Sequence, residues 1–521
     1  MVDTRHVAIV GGGISGLATA YTLQEEARDA GFPLTYTVLE SDARLGGKIA
    51  TEVADGFVIE GGPDCFISQK PWAADLCRRI GLGDQLIGTN DDRRKVFVVN
   101  RQRLTPLPDG VMLIIPTRIM PFVTSPLISV PGKLRMGLDL VIPRRRDAAD
   151  ESIAAFVRRR LGNEALEKIA EPLMSGIHVS DPEMQSLLGT FPRFRTLEEN
   201  YRSLILGMLA GKRARRPAAQ GSGTASPAVA SGARRNGHAV PGAGAAALSQ
   251  LQPEASRHSS PPQGDVAGSP PRPSTLFVTL RDGLGSMIDA LARELRGQVL
   301  VGAQAVELRR AGEGFAVRTK DGRTVSADAV VLAAPAYASA QLLAGLAPQL
   351  AGLLGHIRYV STATISLGYR AGDAEDRLHG FGYVVPRQEG RKISACTWTS
   401  TKFDHRAPRD MALVRCFAGG PGHEEQVDLP DEELVRLARL EMAQLMGLQA
   451  EPVLARVFRW RRSNPQYDVG HLDRVREIHS LCAAQPGLFI TGAAYEGVGV
   501  PDCVHQGQLA ARRTLDYLRV T

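Results

Sequence analysis

The sequence predicts an α/β protein, on three observations. A short buried-strand pattern at His6–Val10 runs into glycines, then a helical run to about Ala30, then a second strand from Leu34 to Leu39 that ends on Glu40. A second strand-to-helix pair, Leu488–Thr491 and Pro501–Leu518, closes the chain. Between them lie a mainly helical stretch and, later, a run of strand patterns. Strand, helix and strand in succession make a βαβ unit. The first strand and the last helix therefore belong to one domain, interrupted by everything between them.

Length and composition set the frame. At 521 residues, with 44% hydrophobic and 22% charged residues, the chain has room for two or three domains with sizeable cores. The net charge of +7 is localised: between Lys212 and Thr275, eight Lys/Arg face only Glu254 and Asp265, so this segment carries +6. The remainder is near neutral, which excludes a globally basic surface and the main argument for nucleic-acid binding. Six scattered cysteines, with no CxxC and no Cys/His cluster at metal spacing, read as reduced structural thiols of a cytoplasmic protein without a metal site. No leader-like segment precedes the first strand, and no apolar run is long enough to span a bilayer. The greasiest stretch, Val111–Val123, is broken by Pro116 and Pro121.

From about Pro71 to Leu209 the pattern is mainly helical, with examples at Asp150–Leu161, Glu164–Met174 and Leu197–Leu209. Lys212–Thr275 then holds nine prolines, no aromatic residue and five large aliphatics, a composition expected to form a disordered insertion. Strand patterns follow at Leu276, Val299–Leu308, Gly314–Thr319 and Ala329–Ala333, with a helix at Ser286–Leu295.

Gly11-Gly12-Gly13-Ile14-Ser15-Gly16 contains GxGxxG between a strand and a helix, the context this motif needs. Gly11 allows the turn, Gly13 lets backbone approach a pyrophosphate, and Gly16 packs helix on strand, while the helix N-terminus offers amides to the phosphates. Glu40, 24 residues past Gly16, is placed to bind ribose hydroxyls. Arg44-Leu45-Gly46-Gly47-Lys48 and Glu60-Gly61-Gly62-Pro63 add glycine pairs that bring more backbone to an elongated cofactor, which favours FAD over NAD. The C-terminal Thr491–Pro501 segment is a second glycine-rich strand-to-helix turn, with Pro501 suited to the first helical position. Amides around Val498 to Val500 suit a flavin edge, where they stabilise the charge of its reduced form.

GGGISGLA, LESDARLGGK, EGGPD and GAAYEGVGVPDCVHQG resemble the flavin amine oxidase superfamily. Glu171–His178 with Asp181-Pro182, Arg202–Met208, Gly380–Gly382 and Pro465–Tyr467 resemble its porphyrinogen oxidase branch, over essentially the whole chain outside Lys212–Thr275. The resemblance implies a Rossmann-like FAD-binding domain (1–70, 276–310 and 480–521). It also implies an inserted helical domain with adjoining substrate elements (71–211) and a mainly substrate-binding mixed α/β domain (311–479). It implies non-covalent FAD held by Gly11, Gly12, Gly13, Ile14, Ser15, Gly16, Glu40, Lys48, Gly62, Pro63, Asp64, Cys65, Val306, Ala493, Val498, Gly499 and Val500. Val306 also lies on a strand able to pass the adenine. Gly176 would approach the substrate through its backbone, and Phe381 would line an apolar pocket. An Arg93-Arg94-Lys95 cluster, Lys95 above all, has two readings: a propionate contact or a solvated charge run.

The implied reaction is six-electron dehydrogenation of a porphyrinogen in three flavin rounds, with oxygen as acceptor. Coproporphyrinogen III is favoured by Ala395–Thr399 and Val469-Gly470-His471, and protoporphyrinogen IX by Arg93–Lys95. No Ser/His/Asp or paired-carboxylate arrangement stands out; His178 reads as structural or pocket-lining and Cys503 as packed. The rivals are a flavin amine oxidase, a carotenoid desaturase and a flavin-bearing haem-pathway partner without turnover. Asp468–His479 lacks the attachment cysteine of some amine oxidases. Val111–Val123 with Pro126–Val141 reads either as a greasy face docking peripherally on membrane or the next pathway enzyme, or as core.

Overall fold

In the computed structural model, residues 4–109, 111–112, 115–116, 119–214 and 275–521 are described. The proposed insertion thus lies almost wholly outside them. A five-stranded parallel sheet runs in the order Gln298–Leu300, Leu34–Leu39, Arg5–Val10, Ala329–Leu332, Leu488–Ile490. Val7–Val10 and Ala329–Leu332, in its central strands, are apolar and buried because helices cover both faces. The opening helix Ile14–Asp29 lies against the closing helix Val500–Val520, so close that Thr19 Oγ1 donates to Gly507 O at 3.1 Å. A Cβ on Gly507 would lie 2.4 Å from Ser15 O. The two ends of the sequence thus form one layer.

Several elements depart from the sequence expectation. Ala329–Leu332, expected in the substrate domain, is the fourth strand of this parallel sheet, and its residues are buried on both faces. Val299–Leu308, expected as one strand, is two: Gly302, at φ +65, turns the chain between Gln298–Leu300 and Ala305–Ala311. The latter pairs instead with Gly314–Thr319, which in turn pairs with Thr324–Ala327, in a separate antiparallel sheet. Residues 86–106, expected mainly helical, supply the strands Leu86–Gly88, Val96–Asn100 and Arg103–Pro106, as the β-branched run Val96-Phe97-Val98-Val99 favours. Leu197–Leu209 is broken at Arg202, φ +62, into Pro192–Tyr201 and Leu204–Ala214.

A seven-stranded sheet forms the second layer, in the order Leu454–Pro465, Tyr359–Arg370, Met411–Gly419, Ile393–Trp398, Gly382–Val384, Val96–Asn100, Arg103–Pro106. Side chains alternate between its two faces. Ile365, Leu367, Cys396, Val414 and Cys416 pack beneath the helix Asp431–Met446. Across the other face, register aligns Thr364, Phe417, Ala395, Val384 and Val98 in one row and Ser366, Arg415, Thr397, Gly382 and Val96 in the next. Val98, Val384 and Ala395 bury against the helical cluster of residues 122–204. The Thr364 end of the same face meets Gly61.

Candidate functional site

Three glycine-bearing turns converge at one end of the parallel sheet. Gly11 has φ +115, and a Cβ on Gly16 would lie 1.9 Å from Gly11 O, so both are required by the turn itself. Gly13 is different. A Cβ there would meet nothing within 4 Å, although Gly13 stands at the helix N-cap. The protein has no packing need for glycine at Gly13, and the space above it is ready for a ligand, beside the free N–H groups of the first helical turn at Ile14, Ser15 and Gly16.

The neighbouring residues suit a dinucleotide. Glu40 accepts from the Gly12 N–H at 2.6 Å and the Asp42 N–H at 2.8 Å, which keeps its buried carboxylate an acceptor aimed beside the turn. Val306 lies close by: Ala303 N–H donates to Glu40 O at 2.7 Å, and Val306 itself is the unpaired residue of a β-bulge, 38% exposed. A bulge leaves backbone polar groups off the ladder, available to a ligand edge. Lys48 is half-buried and has no hydrogen bond or ion pair among the described residues. Burial lowers its pKa to about 8, against the influence of nearby Cys503. A half-buried ammonium without a partner calls for an anion, and a diphosphate at Gly13 would supply it.

The C-terminal turn is built by side chains. Tyr467 hydroxyl accepts from Gly497 N–H at 2.8 Å and donates to Ala493 O at 2.9 Å. Its ring stacks on His471 at 3.9 Å, and His471 Nε2 lies 3.0 Å from Tyr495 O. The clamp leaves Val498, Gly499 and Val500 with N–H groups that no described residue accepts, at the start of the helix that Pro501 opens. Cys503, just inside, is buried; burial pushes its thiol up to about 11, although Lys48 opposes this. All six cysteines are free.

Gly62 closes the cradle, for a Cβ there would lie 1.7 Å from Lys48 O. The next residues, Asp64 and Cys65, adjoin a cluster of charged side chains. Asp64 pairs with Lys402 at 2.8 Å; burial alone would raise its carboxyl, but Lys402 and Arg415 hold it well below the usual range. Cys65, half-buried beside that carboxylate, has its thiol pushed up to about 12 by desolvation and the Asp64 charge. Gly61 O is capped by Trp460 Nε1 at 2.8 Å, Thr364 Oγ1 at 2.9 Å and Arg415 Nη2 at 3.0 Å. Arg415, Lys402 and Trp460 escape motif reading, although an arginine inside the apolar strand MALVRCFAG was a visible signal.

Beside this cluster a cavity of about 40 Å³ lies where the helical segment meets the sheet, lined by Ser175, Gly176, Thr362, Ile393, Phe417 and Gly419 among others. Gly176 sits in a π-helical turn, Met174–His178, a device frequent at functional sites. Its φ is not left-handed; it is glycine because a Cβ would meet Val384 Cγ1 at 2.9 Å. Lys95 and Phe381 touch one another, Phe381 N–H donating to Lys95 O at 2.7 Å, but neither lines this cavity. Lys95 is exposed with Arg93 and Arg94, as a solvated charge run would be. The side chain of His178 lies outside the described residues. Among the described residues no cluster of His, Cys, Asp or Glu is arranged to hold a metal ion.

Residues 14–515 match the family described as flavin containing amine oxidoreductase. The chain is 36% identical over 516 residues to a coproporphyrinogen III oxidase of Bacillus subtilis, covering 99% of this chain and 98% of that one. It is 37% identical to a coproporphyrinogen III oxidase of Propionibacterium freudenreichii, covering 98% and 91%. A solved structure from Exiguobacterium sp. 255-15, assigned as a protoporphyrinogen oxidase, superimposes with a TM-score of 0.79 at 29% identity over the whole of both chains. The open space at Gly13, the unpaired Lys48 and the free amides at Val498–Val500 fit the cofactor such proteins carry. The chain belongs to the flavin-containing amine oxidoreductase family, and its cofactor is FAD.

Proposed function

We propose that this chain oxidises a porphyrinogen to the porphyrin, coproporphyrinogen III in preference to protoporphyrinogen IX. The observation that carries this reading is the cavity at Gly176 and Phe417, whose walls join apolar Val385, Ile393 and Phe417 to the cations Arg387 and Arg391. Both curated relatives are named for coproporphyrinogen III, and Ala395–Thr399 supplies Ala395 to the face that packs against Gly176. FAD supplies the hydride-accepting chemistry that no side chain here offers.

The protein's own residues bind and orient. The turns at Gly11–Gly16, Lys48 and Val498–Val500 hold the cofactor. The sheet face around Phe417 and the turn at Gly176 position a bulky, mostly apolar ring and exclude water. At about 40 Å³ the cavity is too small for a tetrapyrrole, so binding requires the helical segment and the sheet to part there. Each round removes a hydride from a bridging carbon and a proton from the substrate; three rounds remove six electrons. Oxygen is the proposed final acceptor.

The helical domain also offers a docking face for a membrane surface. Met120, Val130, Leu134 and Val141 are 69–75% exposed, with Val123, Leu138 and Leu140 beside them. No helix among the described residues is long and apolar enough to cross a membrane. Flotation with liposomes, and its loss in a Leu134→Glu, Val141→Glu double variant, checks this part.

The main reading is tested by giving the purified, FAD-loaded chain each porphyrinogen, and an amine series, separately. Coproporphyrinogen III should give the highest kcat/KM by porphyrin fluorescence, with peroxide formed. Amine oxidation, or bound flavin that no porphyrinogen reduces, would refute it.

A further inference from the structure

We infer that Arg415 is a buried cation that stabilises the negative charge acquired by the flavin ring on reduction, and so sets the direction of electron flow. Arg415 lies on the strand Met411–Gly419, 4% exposed, with its guanidinium beneath Gly61 and Gly62. It donates only to the Gly61 and Gly62 carbonyls, and its Nε is buried with no partner. Among the described residues no carboxylate lies within ion-pair distance of it. Asp64, which feels the Arg415 charge, is ion-paired with Lys402. Glu60 lies 3.8 Å from Arg406 and accepts from Thr51 Oγ1 at 2.6 Å and Leu284 N–H at 2.7 Å. Three cations, Lys402, Arg406 and Arg415, therefore face two carboxylates, Glu60 and Asp64, and of these Arg406, Arg415 and Glu60 are buried.

A desolvated guanidinium with no ion-pair partner is costly, and the cost is offset when a ligand brings the charge. Reduction of the flavin adds two electrons and one proton and leaves one negative charge on the ring. Lys48, at the other end of the cradle, is the unpaired cation suited to the diphosphate. Arg415 is the one suited to the ring, because the carbonyls it holds belong to the Gly61–Cys65 segment and its guanidinium carbon lies 4.9 Å over the ring of cavity-lining Phe417. The inference rests on bound FAD and not on which porphyrinogen is oxidised. Arg415 is a positioning and electrostatic residue for the reaction.

The test reads potential and spectra, not turnover alone. In the wild-type holoenzyme the flavin midpoint potential is measured from neutral pH downward, beside free FAD. A slope of about 30 mV per pH unit, the value for two electrons and one proton, should persist at pH values where free FAD takes up a second proton. A slope of twice that, matching free FAD, overturns the inference without any variant. Sulfite adds to the oxidised ring and leaves the same negative charge, so its affinity is a second probe. Arg415→Gln should weaken sulfite binding at least tenfold and lower the two-electron potential by about 30 mV for each tenfold. Arg415→Lys, which keeps charge but loses the planar fork, should stay within threefold of wild type. If both variants lose turnover while sulfite affinity and potential stay unchanged, Arg415 merely clamps the Gly61–Gly62 carbonyls and the inference fails. Protein that purifies without flavin would sink the cofactor reading itself, a separate outcome.

Discussion

At the N-terminal turn a Cβ on Gly16 would press on backbone, 1.9 Å from Gly11 O; at the cavity a Cβ on Gly176 would press on a side chain, 2.9 Å from Val384 Cγ1. Both positions are glycine and both lie next to a binding site, yet they answer to different constraints. Backbone cannot yield without dissolving the turn, whereas Val384 can move if the helical segment lifts from the sheet. The cofactor side is therefore a preformed cradle of main chain, and the substrate side is a seam between two packed layers. Gly13, with nothing around it, is the counter-case on the cofactor side: its glycine serves the ligand rather than the fold.

The comparison breaks first at Gly16. Gly16→Ala should abolish both FAD loading and soluble expression, because the clash exceeds ordinary overpacking of about 1–3 kcal/mol. A yellow, stable Gly16→Ala protein would show that the turn can yield after all. Gly176→Leu comes next. It should eliminate porphyrin formation, with a stability loss of roughly 1–3 kcal/mol, while flavin content and flavin photoreduction survive. Loss of flavin together with activity would join the two sites into one folding unit, and normal porphyrin formation would place Gly176 outside the active site.

Smaller effects sharpen the contrast. Lys48→Met removes a charge-assisted contact of about 1.5–3 kcal/mol, so the FAD dissociation constant should rise roughly 10- to 100-fold. The melting temperature of the apo-protein should not fall. Gly13→Ala should behave alike, leaving apo stability intact. An apo-protein destabilised by either change would mean that these residues serve the fold.

The smallest expected effect is a pH dependence at the C-terminal clamp. His471 is buried with Nδ1 unpartnered, and burial lowers its pKa below the ordinary 6.5 of the unfolded chain. The unfolded state therefore binds the proton more readily. The stability this group contributes is complete above pH 6.5 and is lost as pH falls through the depressed folded value. His6 and His505 are lowered for the same reason. Thermal unfolding followed from neutral to acid pH should show a shallower fall in His471→Asn than in wild type. Equal slopes would remove His471 from the account.

Much of the cofactor side was legible in the sequence because main-chain contacts demand particular residues. Only glycine serves at Gly11, Gly13 and Gly16, and the acceptor that follows the second strand must be acidic, as Glu40 is. Such constraints leave spaced motifs. The ends of the chain, Arg5–Val10 and Val500–Val520, were likewise readable as partners, since each carries half of the same strand-and-helix grammar.

The substrate side was less readable. A strand such as Ala329–Leu332 shows apolar residues without saying which sheet it joins, and only register against Arg5–Val10 decides it. Phe381 and Lys95 follow recognisable sequence patterns, yet they sit just before the interior strands Gly382–Val384 and Val96–Asn100, off the cavity. Arg415 is a single basic residue whose role depends on a loop some 350 positions earlier, at Gly61 and Gly62. By itself the sequence determined the fold class and pointed to FAD, because local backbone geometry restricts residue type position by position. The tertiary structure alone decided where the two layers meet, which glycine serves packing and which serves a ligand, and which buried charge lacks a partner. Those depend on distances between segments remote in the chain, and no local pattern encodes them.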